Sequence, residues 1–64
     1  MTHDQLIALY GPKVLPGYHV VEYQYADGSG SWKQCEPQDL TDTVHYHLQR
    51  DCAVWIDGVE VSNA

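Results

Sequence analysis

By residue type, Cys35, His45, His47 and Cys52 are the side chains of this chain best suited to hold a metal ion: two thiols and two imidazoles make a zinc-binding set. Their spacing works against it. The cysteines are far apart in sequence, and His45 and His47 are separated by one residue. On a helix, positions i and i+2 point about 200° apart, so the two imidazoles could share one ion only if this segment were a strand. The expectation is no metal, no cofactor and no required disulfide. Nucleophilic chemistry is equally poorly set up. Ser29 and Ser31 lie in a Gly-rich turn that reads as hairpin chemistry, not as a nucleophile elbow. No helix signal follows Gly28 and Gly30, and no phosphate-loop lysine pattern is present. No paired-carboxylate spacing stands out. A chain of 64 residues also has little core volume to give to a water-excluding catalytic pocket, because a domain of that size buries only about 60% of its unfolded surface. A binding surface makes no such demand, so the expectation is a protein that is not an enzyme.

The acids make more sense as a surface. Glu36, Asp39 and Asp42 recur every three residues, and on a helix they form a slowly drifting stripe with His45 next along it. Such a stripe can serve the helix dipole and solubility. It can also present carboxylates to a basic groove, imitating the phosphates that a nucleic-acid-binding protein is built to grip. Asp4, Asp27, Asp51, Asp57 and Glu60 extend the field, and only Lys13, Lys33 and Arg50 interrupt it. Nine acids against three bases leave a net charge of -6, which argues against nucleic acid, an anionic membrane or an acidic substrate as the direct partner. The aromatic set is five Tyr and two Trp with no Phe, a choice that favours side chains with a polar handle, which are enriched at binding hot spots. Tyr23, Tyr25 and Trp32 are expected in the core. Tyr18 and Trp55 fall on the opposite faces from their strands' apolar neighbours; Trp55 is either covered by a helix or an exposed anchor for a partner. The expected partner-binding residues are therefore Glu36, Asp39, Asp42, Trp55 and Tyr18.

These side chains need elements to position them. Thr2 and Gln5 form a capping-box pattern ahead of Leu6, Ile7, Leu9 and Tyr10, and Gly11-Pro12 stops that helix. Residues 18 to 26 alternate like a strand, and Asp27-Gly28-Ser29-Gly30 turns the chain into a second strand over 31 to 36. A tip at Gly28-Ser29 predicts Tyr25 opposite Trp32, Gln24 opposite Lys33 and Glu22 opposite Cys35. Over 37 to 50, Pro37, Asp39 and the spacing of Leu40, Val44 and Leu48 favour a helix, although Val44-His45-Tyr46-His47-Leu48 also alternates like a strand. Asp57-Gly58 predicts a hairpin with Val54, Ile56, Val59 and Val61 on one face and Trp55 and Glu60 on the other. Ser62-Asn63-Ala64 should fray. The expected fold is α+β: one small domain with an antiparallel sheet of three to four strands packed with two helices, in the order αββαββ. A strand over 38 to 50 would make it instead a small Sm-like or SH3-like β-barrel with an N-terminal helix.

In size, acidity and Tyr content the chain resembles the small acidic inhibitors encoded by bacteriophages and other mobile elements, including anti-CRISPR proteins and inhibitors of host RNA polymerase. The likeness aligns no residues and assigns no positions. It implies a non-enzymatic inhibitor or adaptor whose partner is a host or target protein with a basic surface, occluded by acidic mimicry. Two other classes fit less well: a β-barrel module linked to metal or nucleic acid, and a small oligomeric structural subunit. No apolar run approaches the roughly 20 residues that cross a bilayer. The start Met1-Thr2-His3-Asp4 lacks the basic and apolar regions of a secretory signal, so the expected location is the cytoplasm, that of the host cell if the chain is phage-encoded.

Overall fold

The computed structural model describes residues 1 to 61. Helix α1 (His3–Tyr10) is followed by strands β1 (His19–Gln24) and β2 (Gly30–Cys35), a 3-10 turn (Pro37–Asp39) that runs into helix α2 (Leu40–Leu48), and strands β3 (Ala53–Ile56) and β4 (Val59–Val61). The four strands make one antiparallel sheet in the order β2-β1-β3-β4. This is the α+β fold in the αββαββ order. The β-barrel alternative is corrected, since 40 to 48 is helical and the sheet stays open at β2 and β4. The expected fraying of Ser62-Asn63-Ala64 lies outside the described residues.

Local chemistry accounts for the boundaries. The capping box forms as expected: Gln5 N donates to Thr2 Oγ1 at 3.2 Å and Thr2 N donates to Gln5 Oε1 at 2.8 Å. Leu6 is buried and Ile7 and Tyr10 are half-buried, but Leu9 is 58% exposed, because it falls off the 3.6-residue stripe the other three share. Leu40, Val44 and Leu48 of α2 face the sheet as their spacing requires. That helix ends without a glycine: Asp51 takes the left-handed conformation instead, at φ 59°. In the β3–β4 turn both Asp57 (φ 50°) and Gly58 (φ 83°) are left-handed, matching the twist of a two-residue hairpin. Val54 pairs with Val61, Trp55 with Glu60 and Ile56 with Val59, the expected register.

The first hairpin differs from expectation. Tyr25 O accepts from Gly28 N at 3.0 Å and Tyr25 N donates to Ser29 O at 2.7 Å, so the loop is the three residues Ala26-Asp27-Gly28, with Gly28 left-handed at φ 91°. Three-residue loops of this kind close a turn and then need one residue in the region only glycine enters freely. Asp27 Oδ1 accepts from both the backbone and the hydroxyl of Ser29, at 2.9 and 2.6 Å, which locks the loop and holds the Asp27 carboxyl below its usual range. The register is therefore Glu22 opposite Trp32, Val21 opposite Lys33 and His19 opposite Cys35; the expected Tyr25–Trp32, Gln24–Lys33 and Glu22–Cys35 pairs do not form.

Both faces of the sheet are covered, each in part. Val20 packs with Leu6 and Val14 beneath α1, joined by Tyr10 and Trp32. Val21, next in sequence and on the other face, packs with Val54, Cys52 and Val44 beneath α2. Val14, Val20, Val21 and Val54 are essentially fully buried, and each contributes about 2 kcal/mol of apolar burial. Tyr23 joins the α2 side and Trp32 the α1 side, while Tyr25 is exposed; the three aromatics expected together in one core are split by the pleat.

Candidate functional site

The acidic stripe begins just before the 3-10 turn and continues into α2. Glu36 occupies the N-cap position of the turn without a side-chain capping bond, Asp39 ends the turn and Asp42 lies in the first turn of α2; all three are exposed, as is His45 beyond them. Carboxylates in a first helical turn face the positive end of the dipole, so the positions are favourable locally as well as outward-facing. Among the described residues one basic side chain meets a carboxylate, His19 Nδ1 with Asp57 Oδ2 in a hydrogen bond of 2.8 Å. Asp57 Oδ1 also accepts from Val20 N at 2.8 Å, tying the β3–β4 turn to the start of β1. The basic side chains are engaged elsewhere: the Arg50 guanidinium lies 3.6 Å from the Tyr46 ring centre and Lys33 Nζ 5.5 Å from it. Among the described residues no Lys, Arg or His nitrogen lies within salt-bridge distance of the three stripe carboxylates, although Lys33 and Asp42 line one cleft and Gln38 donates to Glu36.

The α1 side of the sheet carries a second feature. Glu22 on β1 stands opposite Trp32 on β2 and opposite Trp55 on β3, and Trp55 stands opposite Glu60 on β4. Side chains directly opposite one another share a face, so Trp32, Glu22, Trp55 and Glu60 form a line across all four strands, alternating aromatic and acid. α1 is short and stops at Tyr10, which covers one side of this line. The Tyr10 hydroxyl donates to Glu22 Oε1 at 2.9 Å, and its ring lies 5.5 Å from that of Trp32, tilted by 50°. Burial, with the Glu22 hydrogen bond next, pushes the Tyr10 hydroxyl up to about 12, so it remains a donor throughout the neutral range. The result is an open groove of about 410 Å³ with Glu22 between half-buried Trp32 and Trp55 and with Gly30 and Ser31 at its end.

The five expected partner-binding residues therefore fall in three places. Glu36, Asp39 and Asp42 lie along the α2 side. Trp55 lines the aromatic groove on the α1 side, half-buried and so neither sealed core nor free anchor. Tyr18 lines a smaller cleft of about 200 Å³ with His3, His19 and Asp57. Sequence reasoning missed Glu22, Tyr10 and Trp32 as surface groups. The signal that would have found them is the Asp27-Gly28 pair read as the end of a three-residue loop, which puts Trp32 opposite Glu22.

The thiol and imidazole set does not converge. Cys35 and Cys52 are free thiols that pack under α2, and burial raises the Cys35 thiol above its usual range. His45 is exposed and His47 buried, diverging as helical spacing requires. Among the described residues no group of three or more His, Cys, Asp or Glu is placed to hold a metal ion, and no helix is long and apolar enough to cross a membrane. Comparison with protein-family models, with curated proteins and with solved structures finds no match.

Proposed function

We propose that this chain is a non-enzymatic binding protein, an inhibitor or adaptor that seats on a basic surface of a target protein and occludes it. The target surface is of the kind that grips nucleic acid, with Lys and Arg at regular intervals. The observation that carries this reading is the excess of exposed negative charge: a net -6 with Glu36, Asp39 and Asp42 exposed and in no salt bridge among the described residues, while Lys33 and Arg50 lie over the Tyr46 ring. Carboxylates of this kind accelerate encounter and give salt sensitivity more than they give affinity. The aromatic groove supplies the desolvated contact that affinity needs.

The test is capture from a bacterial lysate on the immobilised full chain, at low and at high salt, against the triple variant Glu36→Gln, Asp39→Asn, Asp42→Asn. The expected outcome is a retained protein that high salt releases, and slower association with the triple variant. Equal retention at both salt concentrations and by both chains overturns the reading. The assembly-subunit reading draws on a different observation, the outer edges of β2 and β4, unpaired among the described residues, beside exposed Val59 and an apolar groove between α2 and Ile56. Native mass separates it: a stable oligomer favours assembly, a monomer favours the inhibitor.

A further inference from the structure

We infer that the groove between Trp32 and Trp55 is a binding site for an arginine side chain of the target protein. The indoles are its stacking faces and Glu22 its counter-charge. This rests on the reading that the chain engages a basic protein surface, and it names the side chain that surface must offer.

Four features of the groove point to a guanidinium. First, Glu22 sits on β1 between two neighbouring strands that each place a Trp directly opposite it. Two strand spacings separate the indole-bearing positions by about 9.6 Å, enough for a flat group to lie between or against the rings with the carboxylate at its edge. Second, the carboxylate is half committed. Glu22 Oε1 accepts from Tyr10, and among the described residues Oε2 has no partner. The only buried side-chain polar atoms lacking a partner among the described residues are the ring nitrogens of His47, so Oε2 is open to the groove or to solvent. Third, no basic side chain among the described residues meets Glu22: the one such contact with a carboxylate is His19–Asp57, and Arg50 and Lys33 lie over Tyr46 on the other face of the sheet. Fourth, Tyr10 holds the carboxylate in place, so a ligand meets a fixed acceptor and does not have to order it.

A planar, weakly hydrated guanidinium matches this arrangement better than a lysine ammonium does. It stacks on aromatic faces while its N–H fork donates to a carboxylate, whereas an ammonium is a compact, strongly hydrated point charge. The line continues to Glu60 on β4, beyond Trp55. A second cation on the target, spaced to reach Glu60, would extend the same contact across the sheet.

The experiment follows the two indole N–H signals by NMR on the full chain during titration with N-acetyl-arginine amide. The blocked citrulline isostere, which is uncharged, and blocked lysine are the comparison ligands. The expected result is a saturable shift of both indole signals by arginine, in the weak millimolar range for one side chain. Citrulline should give no saturation, and lysine should bind more weakly. Glu22→Gln keeps the shape and the Tyr10 contact, so it should stay folded and lose about tenfold in affinity, the loss expected for one charge-assisted hydrogen bond. Absence of a saturable indole shift overturns the site. So does arginine binding that Glu22→Gln leaves unchanged, or citrulline or lysine binding as tightly as arginine. If arginine fails while the triple acidic variant still loses salt-sensitive capture, the groove assignment falls and the basic-surface reading stands. If arginine binds but no salt-sensitive partner is captured, the groove stands and the proposed function falls.

Discussion

Replacing His47 with Phe should stabilise the domain and remove part of its acid sensitivity. His47 is 3% exposed, and neither ring nitrogen has a hydrogen-bond partner among the described residues. Its ring stacks on Tyr23 at 4.0 Å, only 9° from parallel, and meets Tyr46 edge-on at 5.0 Å. A neutral imidazole carries one donor and one acceptor, so two polar atoms go unsatisfied, at about 1 kcal/mol each. A phenyl ring removes both and keeps the stack. Its greater bulk returns about 1 kcal/mol as overpacking, for a net gain of about 1 kcal/mol. In a domain of this size that raises the melting temperature by about 4–8 °C. The pH dependence has a definite sign. Burial first, then the nearby charges of Lys33 and Arg50, lower the His47 pKa below its ordinary 6.5. The unfolded chain therefore takes up the proton more readily than the folded one. The stability His47 contributes is fully present above about pH 6.5 and is lost as pH falls through the lower folded value. Thermal melts of both chains, followed by circular dichroism between about pH 7.5 and about pH 5, should show the advantage of His47→Phe widening as the pH drops. A variant that melts below the parent at neutral pH, or a gap that stays constant with pH, would refute the reasoning.

Two further outcomes concern the groove. Tyr10→Phe removes the donor to Glu22 Oε1 and should lower the unfolding free energy read from urea titration by about 1 kcal/mol. Because the folded Tyr10 hydroxyl is raised from 10.0 to about 12, its contribution is intact below pH 10.0 and fades as the pH climbs toward 12, so the parent should lose stability over that alkaline window and the variant should not. Trp55→Ala should leave the domain folded at room temperature, at a cost of about 1–2 kcal/mol, below the 3–5 kcal/mol typical of a fully buried aromatic. An unfolded spectrum would show that Trp55 is core, not groove wall.

Much of this fold was legible locally. Thr2 and Gln5, Gly11-Pro12, Pro37 with the Leu40–Val44–Leu48 spacing, and Asp57-Gly58 each act within a few residues, through caps, missing donors and left-handed conformations. Each produced the expected element. The first hairpin was legible as a hairpin but not in register. Two loops of different length use the same Asp27-Gly28-Ser29 residues and both accept a left-handed Gly28; what separates them is which pair closes the loop, here Tyr25 with Ser29 and not Asp27 with Gly30. That choice moves every cross-strand pair, and with them Trp32 to the side of Glu22.

The residue types alone determined the chemistry available: an acidic surface, aromatics with polar handles and no set of ligands spaced for a metal. The outward position of Asp42 also followed from spacing, because a helix with Leu40, Val44 and Leu48 inward leaves it to solvent; Glu36 and Asp39 precede α2, so the expected helical stripe forms only in part, with Glu36 in extended backbone and Asp39 closing the 3-10 turn. Only the tertiary structure decided that Val20 and Val21 would feed two separate cores, that His47 would be buried without partners, and that Glu22 would stand between two indoles. Those three facts depend on contacts between strands and helices distant in the chain. No local pattern carries them, since the strand order β2-β1-β3-β4 sets β3 against β1, far from it in sequence.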